Sequence, residues 1–220
     1  MVIWDENKKV NEYEAHLLRR ACVPTYQWIE DDLKLAPNSP DLESYRRLAH
    51  IREDLVNFTM CSKNNLIICG ESMGCGKTSW AFKLLLTHIE NNWKKIYAEE
   101  FEITDKQFDI ALFLSVPQFI VDIKQFKGTK YEETIELYSR AKETELLVLD
   151  DIAALEMNKY DYNALYSIIE ARNLSHLPTI ITSNCVSKDE MLKVLGPRLA
   201  DRVWANATVV ELKEFSRRGI

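Results

Sequence analysis

The run Gly70-Glu71-Ser72-Met73-Gly74-Cys75-Gly76-Lys77-Thr78 holds the parts a phosphate-binding loop needs. Its end fits the pattern G-x-x-x-x-G-K-[ST], although the first glycine comes one residue early. Bare glycines let successive N–H groups turn inward around an anion and accept positive φ at low cost. Lys77 has the length to reach β and γ phosphates, and the Thr78 hydroxyl suits Mg²⁺. A helix beginning near Lys77, with Ser79 in its first turn, adds the positive end of its dipole. The early glycine admits two registers. Either Glu71 stands at the usual first-glycine position or the loop is one residue longer. The longer loop is favoured because Gly70 falls where a strand exits. Cys75 reads as a small residue packed in the loop; a thiol activated by the helix end is the alternative.

Three other stretches carry polar groups at the ends of apolar runs. Asp150 follows Leu146 to Leu149, and a carboxylate at a buried strand end is costly unless a cation or hydrogen bonds satisfy it. Mg²⁺ is the obvious partner, a helix cap the alternative. Asp151 stands where many ATPases carry a glutamate that orients the attacking water, and its shorter side chain predicts slow hydrolysis. Asn184, after Ser183, offers a neutral amide to a γ phosphate or a water; a turn-forming asparagine is the plainer reading. In Gly196-Pro197-Arg198-Leu199-Ala200-Asp201-Arg202, two arginines four apart share one helical face. One of them suits an arginine finger, while Asp201 offers either an ordinary surface ion pair.

The elements that must position these groups alternate along the chain. Leu66–Cys69 is an apolar run that reads as a strand, and Lys77–His88 as a helix, so the loop joins strand to helix. Further strands are expected at 110–116, 146–149, 179–183 and 207–212, with Pro117 in the first turn of a helix and another helix over about 162–174. Pro37 to Pro40 marks a turn, and a helix from Leu42 to about Phe58 follows with Tyr45, Leu48, Ile51 and Leu55 on one stripe. Helical potential also lies around Tyr13 to Arg20. Five continuous apolar strands between helices imply a parallel sheet covered on both faces. Ligands of such sheets collect at the carboxyl ends of the strands, where the polar residues fall.

Composition sets limits. With 220 residues and 46% hydrophobic content, the chain is one α/β domain with a short appendage. A net charge of −6 argues against a protein that mainly coats nucleic acid. Local basic surfaces at Lys124, Lys127 and Lys130 and at Arg217-Arg218 read first as solvated faces. The five cysteines form no C-x-x-C pair, which fits a reducing cytoplasm. No apolar run approaches the ~18 residues of a membrane span.

Together these elements resemble AAA+ ATPases, and within them the helicase-loader branch that includes DnaC, DnaI and the transposition helper IstB. NLIICG…GCGKTSWAFKLL looks like Walker A, LLVLDDIAA like Walker B, TIITSN like sensor 1 and LGPRLADRVW like the arginine-bearing box; CVPTYQW looks like the segment before the core and EFSRR like the terminal arginine segment. The resemblance covers about residue 22 to the end, leaving 1–21 as a short N-terminal extension and 22–220 as an AAA+ ATPase domain. It implies a P-loop NTPase fold with a five-stranded parallel sheet ordered 5-1-4-3-2 and ATP with Mg²⁺ between neighbouring subunits. Thr78 and Asp150 are then the metal residues, and Gly70, Gly74, Cys75, Gly76, Lys77, Thr78 and Ser79 hold the nucleotide. Asp151 and Asn184 act on the attacking water, Arg202 is the finger acting in trans, Arg198 supports it, and Arg217 or Arg218 takes the sensor 2 place. The implied function is to load a replicative hexameric DNA helicase onto single-stranded DNA, itself held weakly by a local basic surface. ATP-driven head-to-tail self-association and slow hydrolysis form the switch. The short N-terminal extension fits a bacteriophage-type loader working in the bacterial host cytoplasm, with no membrane contact. The alternatives are an IstB-like transposition helper and a nucleotide-regulated adaptor with little turnover. A small-molecule kinase fits less well, since no arginine-rich lid is evident.

Overall fold

A computed structural model describes residues 16, 18–22, 35, 38–60, 65–99, 109–124, 129–154 and 157–214. Five parallel strands form one sheet: β1 (Asn65–Cys69), β2 (Ala111–Ser115), β3 (Leu146–Asp150), β4 (Thr179–Ser183) and β5 (Ala207–Glu211). Their order is β2-β3-β4-β1-β5, the expected 5-1-4-3-2 arrangement read from the other edge. β1 lies between β4 and β5, with Cys69 opposite Ser183 on one side and Glu211 on the other.

Seven helices have described bounds: α1 (Leu42–Glu53), α2 (Leu55–Met60), α3 (Lys77–Glu99), α4 (Val116–Lys124), α5 (Thr129–Glu143), α6 (Lys159–Leu174) and α7 (Lys188–Trp204). Alternate strand residues feed two cores, as the pleat dictates. Leu66, Ile68, Val148 and Ile180 pack with Tyr45, Leu48, Trp80 and Leu84 on one face. Ile67, Cys69, Leu149 and Ile181 pack with Phe119, Leu165, Ile168 and Leu199 on the other. At the β2 edge the Phe113 N–H donates to Ala21 O at 2.8 Å, and Arg20 pairs with Asp109 at 2.9 Å.

Several elements depart from the sequence reading. The helix expected over Leu42–Phe58 is two helices, broken at Asp54 (φ −112°, ψ 32°). α3 runs eleven residues past His88, to Glu99. β2 stops at Ser115 because Val116 already begins α4, and β5 stops at Glu211, one residue before Leu212. α6 starts at Lys159 rather than near Tyr162, because Asn158 and Asp161 close a capping box. The sequence reading assigns no helix to α5, whose apolar residues Leu137 and Tyr138 pack on the core only partly buried and whose buried described residues are Thr134 and Ala141. Lys124 is exposed, as expected of a solvated face, and its ammonium also pairs at 2.8 Å with the fully buried Asp161 carboxylate. Lys127, Arg217-Arg218 and most of CVPTYQW, and the side chain of Lys130, lie outside the described residues. Among the described residues no helix is long and apolar enough to cross a membrane.

Candidate nucleotide site

β1 delivers the chain to Gly70 at the carboxyl edge of the sheet. The Gly70 N–H donates to Ser183 O at 3.2 Å, and the Leu212 N–H donates to Cys69 O at 2.7 Å, so β4 and the exit of β5 grip the start of the loop. A Cβ on Gly70 would stand 2.3 Å from Leu212 O and 3.2 Å from the Cys75 sulfur, which leaves room only for glycine. Gly74 (φ 79°) and Gly76 (φ 103°) curl the backbone before α3 begins at Lys77. Met73 stands 78% exposed at the tip, whereas Cys75 is buried and packs inward as a free thiol. Ser79 is buried in the first turn of α3.

Lys77 is buried and folded across the loop. Its Nζ donates to Gly70 O at 2.8 Å and Ser72 O at 2.9 Å and lies 3.6 Å from the Cys75 sulfur. The first turn of α3 holds no acidic side chain of its own, and the carboxylate that reaches it, Asp150, comes from β3. A buried ammonium, curled glycines and a helix N-terminus together fit a polyphosphate.

Asp150, the last residue of β3, sits where three strand ends meet. Its Oδ1 accepts the Thr78 hydroxyl at 2.9 Å and the Thr182 hydroxyl at 2.7 Å, while Oδ2 takes no hydrogen bond from the described residues. Burial raises its pKa, and the neighbouring Asp151 adds to the rise; the two threonine hydroxyls and Lys77 oppose it. The hydroxyl and carboxylate side by side are hard oxygen donors of the kind Mg²⁺ takes. Among the described residues no three His, Cys, Asp or Glu side chains cluster as a metal site, so a cation here relies on nucleotide and water oxygens as well.

Asp151 leaves the strand in the left-handed region (φ 60°). Its N–H donates to the Thr182 hydroxyl at 2.8 Å and its Oδ1 accepts from Asn184 Nδ2 at 3.3 Å. The fold thus brings Gly70, Lys77, Thr78, Asp150, Asp151 and Asn184 to one place. Thr182, which ties the two aspartates together, escaped the sequence reading, since hydroxyls at Thr179 and Ser183 of the same strand leave nothing to single it out.

Arg198 and Arg202 lie elsewhere. α7 is two helical pieces joined at Gly196 (φ 72°), and both arginines sit on the second. Arg202 O accepts Asn173 Nδ2 at 3.0 Å, and Asn173 in turn bonds Asn65 at the amino end of β1. Lys77 follows the carboxyl end of that strand, so about 13 Å of strand separates the two levels. Arg202 pairs with Glu170, and Asp201 pairs with Lys188 at 3.0 Å instead of with either arginine. Arg198 is exposed and has no partner among the described residues.

No protein-family profile matches the chain. The replicative helicase loader DnaI of Bacillus subtilis (strain 168) is 25% identical over an alignment of 209 residues that covers 87% of this chain and 61% of that protein. The chain therefore spans less than two thirds of the relative it matches. The crystal structure of the DnaC helicase loader superposes with a TM-score of 0.60 at 22% identity, covering 82% of this chain and 96% of that one. The replication initiator DnaA bound to AMPPCP and single-stranded DNA superposes with a TM-score of 0.58 at 18% identity, covering 84% and 49%. The chain is similar in sequence to the helicase loader DnaI and has the AAA+ P-loop fold of DnaC.

Proposed function

We propose that this chain binds ATP with Mg²⁺ and uses it to govern its assembly with a replicative hexameric DNA helicase, which it loads onto single-stranded DNA. The observation that carries the reading is the meeting of Thr78 and Asp150 beside the loop bridged by Lys77, in a chain similar in sequence to a helicase loader. Magnesium-bound ATP supplies a γ phosphate whose charge links neighbouring subunits until it is cleaved.

In this reading Lys77 exchanges the carbonyls of Gly70 and Ser72 for phosphate oxygens, and Gly74, Cys75, Gly76, Thr78 and Ser79 serve the same anion. Thr78 and Asp150 hold the cation. Asp151, fixed by Thr182 and Asn184, orients the attacking water and gives slow turnover. Arg202, a strand's length from its own loop, serves the nucleotide of a neighbouring copy, with Arg198 beside it. A heterologous contact of this kind builds an open spiral unless its rotation closes. Such a spiral holds the helicase open in the cytoplasm while single-stranded DNA enters.

The test mixes the full chain with the replicative helicase of the same host on a sizing column. ATP is expected to change the amount of complex, and Lys77→Ala to abolish that sensitivity while the chain stays folded. Absence of a complex with ATP, ADP and no nucleotide alike overturns the loader reading.

A further inference from the structure

Arg202 is engaged before any neighbour arrives. Its Nε lies 2.5 Å from Glu170 Oε2, and its Nη2 donates to Glu170 Oε1 at 3.2 Å. One edge of the guanidinium is thus taken up by both carboxylate oxygens. That edge is also the fork with which an arginine binds a phosphate. The neighbouring charges do not compete for it, because Asp201 is held by Lys188. Arg198, one turn away and exposed, remains without a partner among the described residues. The backbone of Arg202 is anchored to the helix that carries Glu170, through Asn173 Nδ2 and Arg202 O at 3.0 Å. Its side chain therefore turns about a fixed point. The pair stands at a cavity of about 390 Å³, also lined by Leu174, Leu177, Pro178 and Asn206. Glu170 Oε2 is buried and faces Arg202 Nε as an ion pair without an aligned hydrogen bond, while Oε1 takes the hydrogen bond from Nη2.

Building on the head-to-tail role given to Arg202, we propose that Glu170 is a latch that stows this arginine on its own subunit until a second copy presents a triphosphate. The fork serves one anion at a time. A carboxylate left beside the incoming phosphates is repelled by them, so binding in trans requires Arg202 to leave Glu170. The Tyr166 hydroxyl, and then Glu170, hold the Arg202 pKa above its ordinary value, so the guanidinium is charged in the stowed state and ready to transfer. A monophosphate or diphosphate in the neighbour offers less charge with which to break the pair. The latch thereby makes self-association depend on the third phosphate and prevents copies without it from joining.

Sedimentation velocity of the full chain with Mg-AMPPCP or Mg-ADP tests this. Glu170→Gln keeps the shape and removes the charge. It is expected to self-associate with AMPPCP at about tenfold lower protein concentration than the parent, and to gain some association with ADP. Arg202→Ala, and the double variant with Glu170→Gln, are expected to stay monomeric with either nucleotide. Melting temperature and binding of a fluorescent AMPPCP by each monomer report that the variants are folded. If Arg202→Ala fails to associate but Glu170→Gln associates no better than the parent, the latch is wrong and the head-to-tail role of Arg202 survives. If Arg202→Ala associates like the parent, that role fails and the latch with it. Should Glu170→Gln not fold, Glu170→Ala in the same assay separates the same outcomes.

Discussion

The Thr182 hydroxyl donates to Asp150 Oδ1 at 2.7 Å and accepts the Asp151 N–H at 2.8 Å through the same oxygen. One side chain of β4 thus sets the carboxylate of one aspartate and the backbone of the next. Thr182→Val keeps the shape and removes the hydroxyl, leaving the Asp151 N–H without its acceptor. Losing a buried partner of this kind costs about 1–3 kcal/mol. Urea unfolding is expected to show that loss, and a variant as stable as the parent would mean that water replaces the hydroxyl without cost.

Asp150 gives a pH test with a definite sign. Its pKa is raised, first by burial and further by Asp151, so the folded state favours the protonated form more than the unfolded chain does. The fold therefore loses stability as pH rises through the interval between the ordinary carboxylate value, about 4, and the raised folded value. Asp150→Asn removes this dependence and still accepts both threonine hydroxyls. The variant is expected to gain on the parent as pH rises through that interval, and to be no less stable at neutral pH. Its melting temperature should no longer rise with Mg-ATP. A stability gap that stays constant across the interval would show that Asp150 carries no such strain.

Gly70 is fixed by space as much as by conformation. A methyl group there meets the Leu212 carbonyl oxygen at 2.3 Å, and that oxygen belongs to backbone held by the Leu212–Cys69 hydrogen bond of 2.7 Å. Neither side yields as a flexible side chain would. Gly70→Ala is expected to destabilise by about 1–3 kcal/mol, the usual range for overpacking, and to weaken ATP binding by shifting the loop. Calorimetric melting and nucleotide titration measure the two effects, and unchanged values in both would show that the loop moves freely.

How much of this was legible before folding depended on what each residue had to signal. Strands buried on both faces announce themselves as apolar runs, and the polar residues that end them mark the carboxyl edge, so Lys77, Asp150 and Asn184 were all visible. Thr182 was not, because its role exists only where β3 and β4 lie side by side, with Leu149 opposite Ile181. Arg172 is a second case. It looks like a surface residue of α6, yet it is fully buried and its guanidinium donates to Ala141 O, Thr144 O, Pro178 O and the Thr179 hydroxyl. Burial draws its pKa down to about 9, still above neutrality, so it stays charged and ties the end of α5 to the start of β4. Carbonyl partners contributed by a helix end leave no residue type to recognise. Glu170 was equally silent, since its meaning comes from the arginine 32 positions later.

Asp151 combines an unusual backbone with a short side chain, and the two are connected. At φ 60° most side chains are strained, while aspartate and asparagine tolerate the left-handed region through short polar contacts. A longer acid would be less at ease there, which accounts physically for aspartate at this position. Asp151→Asn therefore changes the charge with little change in fold, and Asn184 Nδ2 can still donate to its oxygen, as it does to Asp151 Oδ1 at 3.3 Å. Stability is expected to stay within about 0.5 kcal/mol of the parent. If Asp151 acts on the attacking water, ATP turnover with helicase and DNA present falls by about 10²-fold or more while ATP affinity is unchanged, because positioned acid–base groups contribute on that scale. Hydrolysis by Asp151→Asn at the parent rate would remove Asp151 from the reaction and leave its acid serving only to hold Asn184.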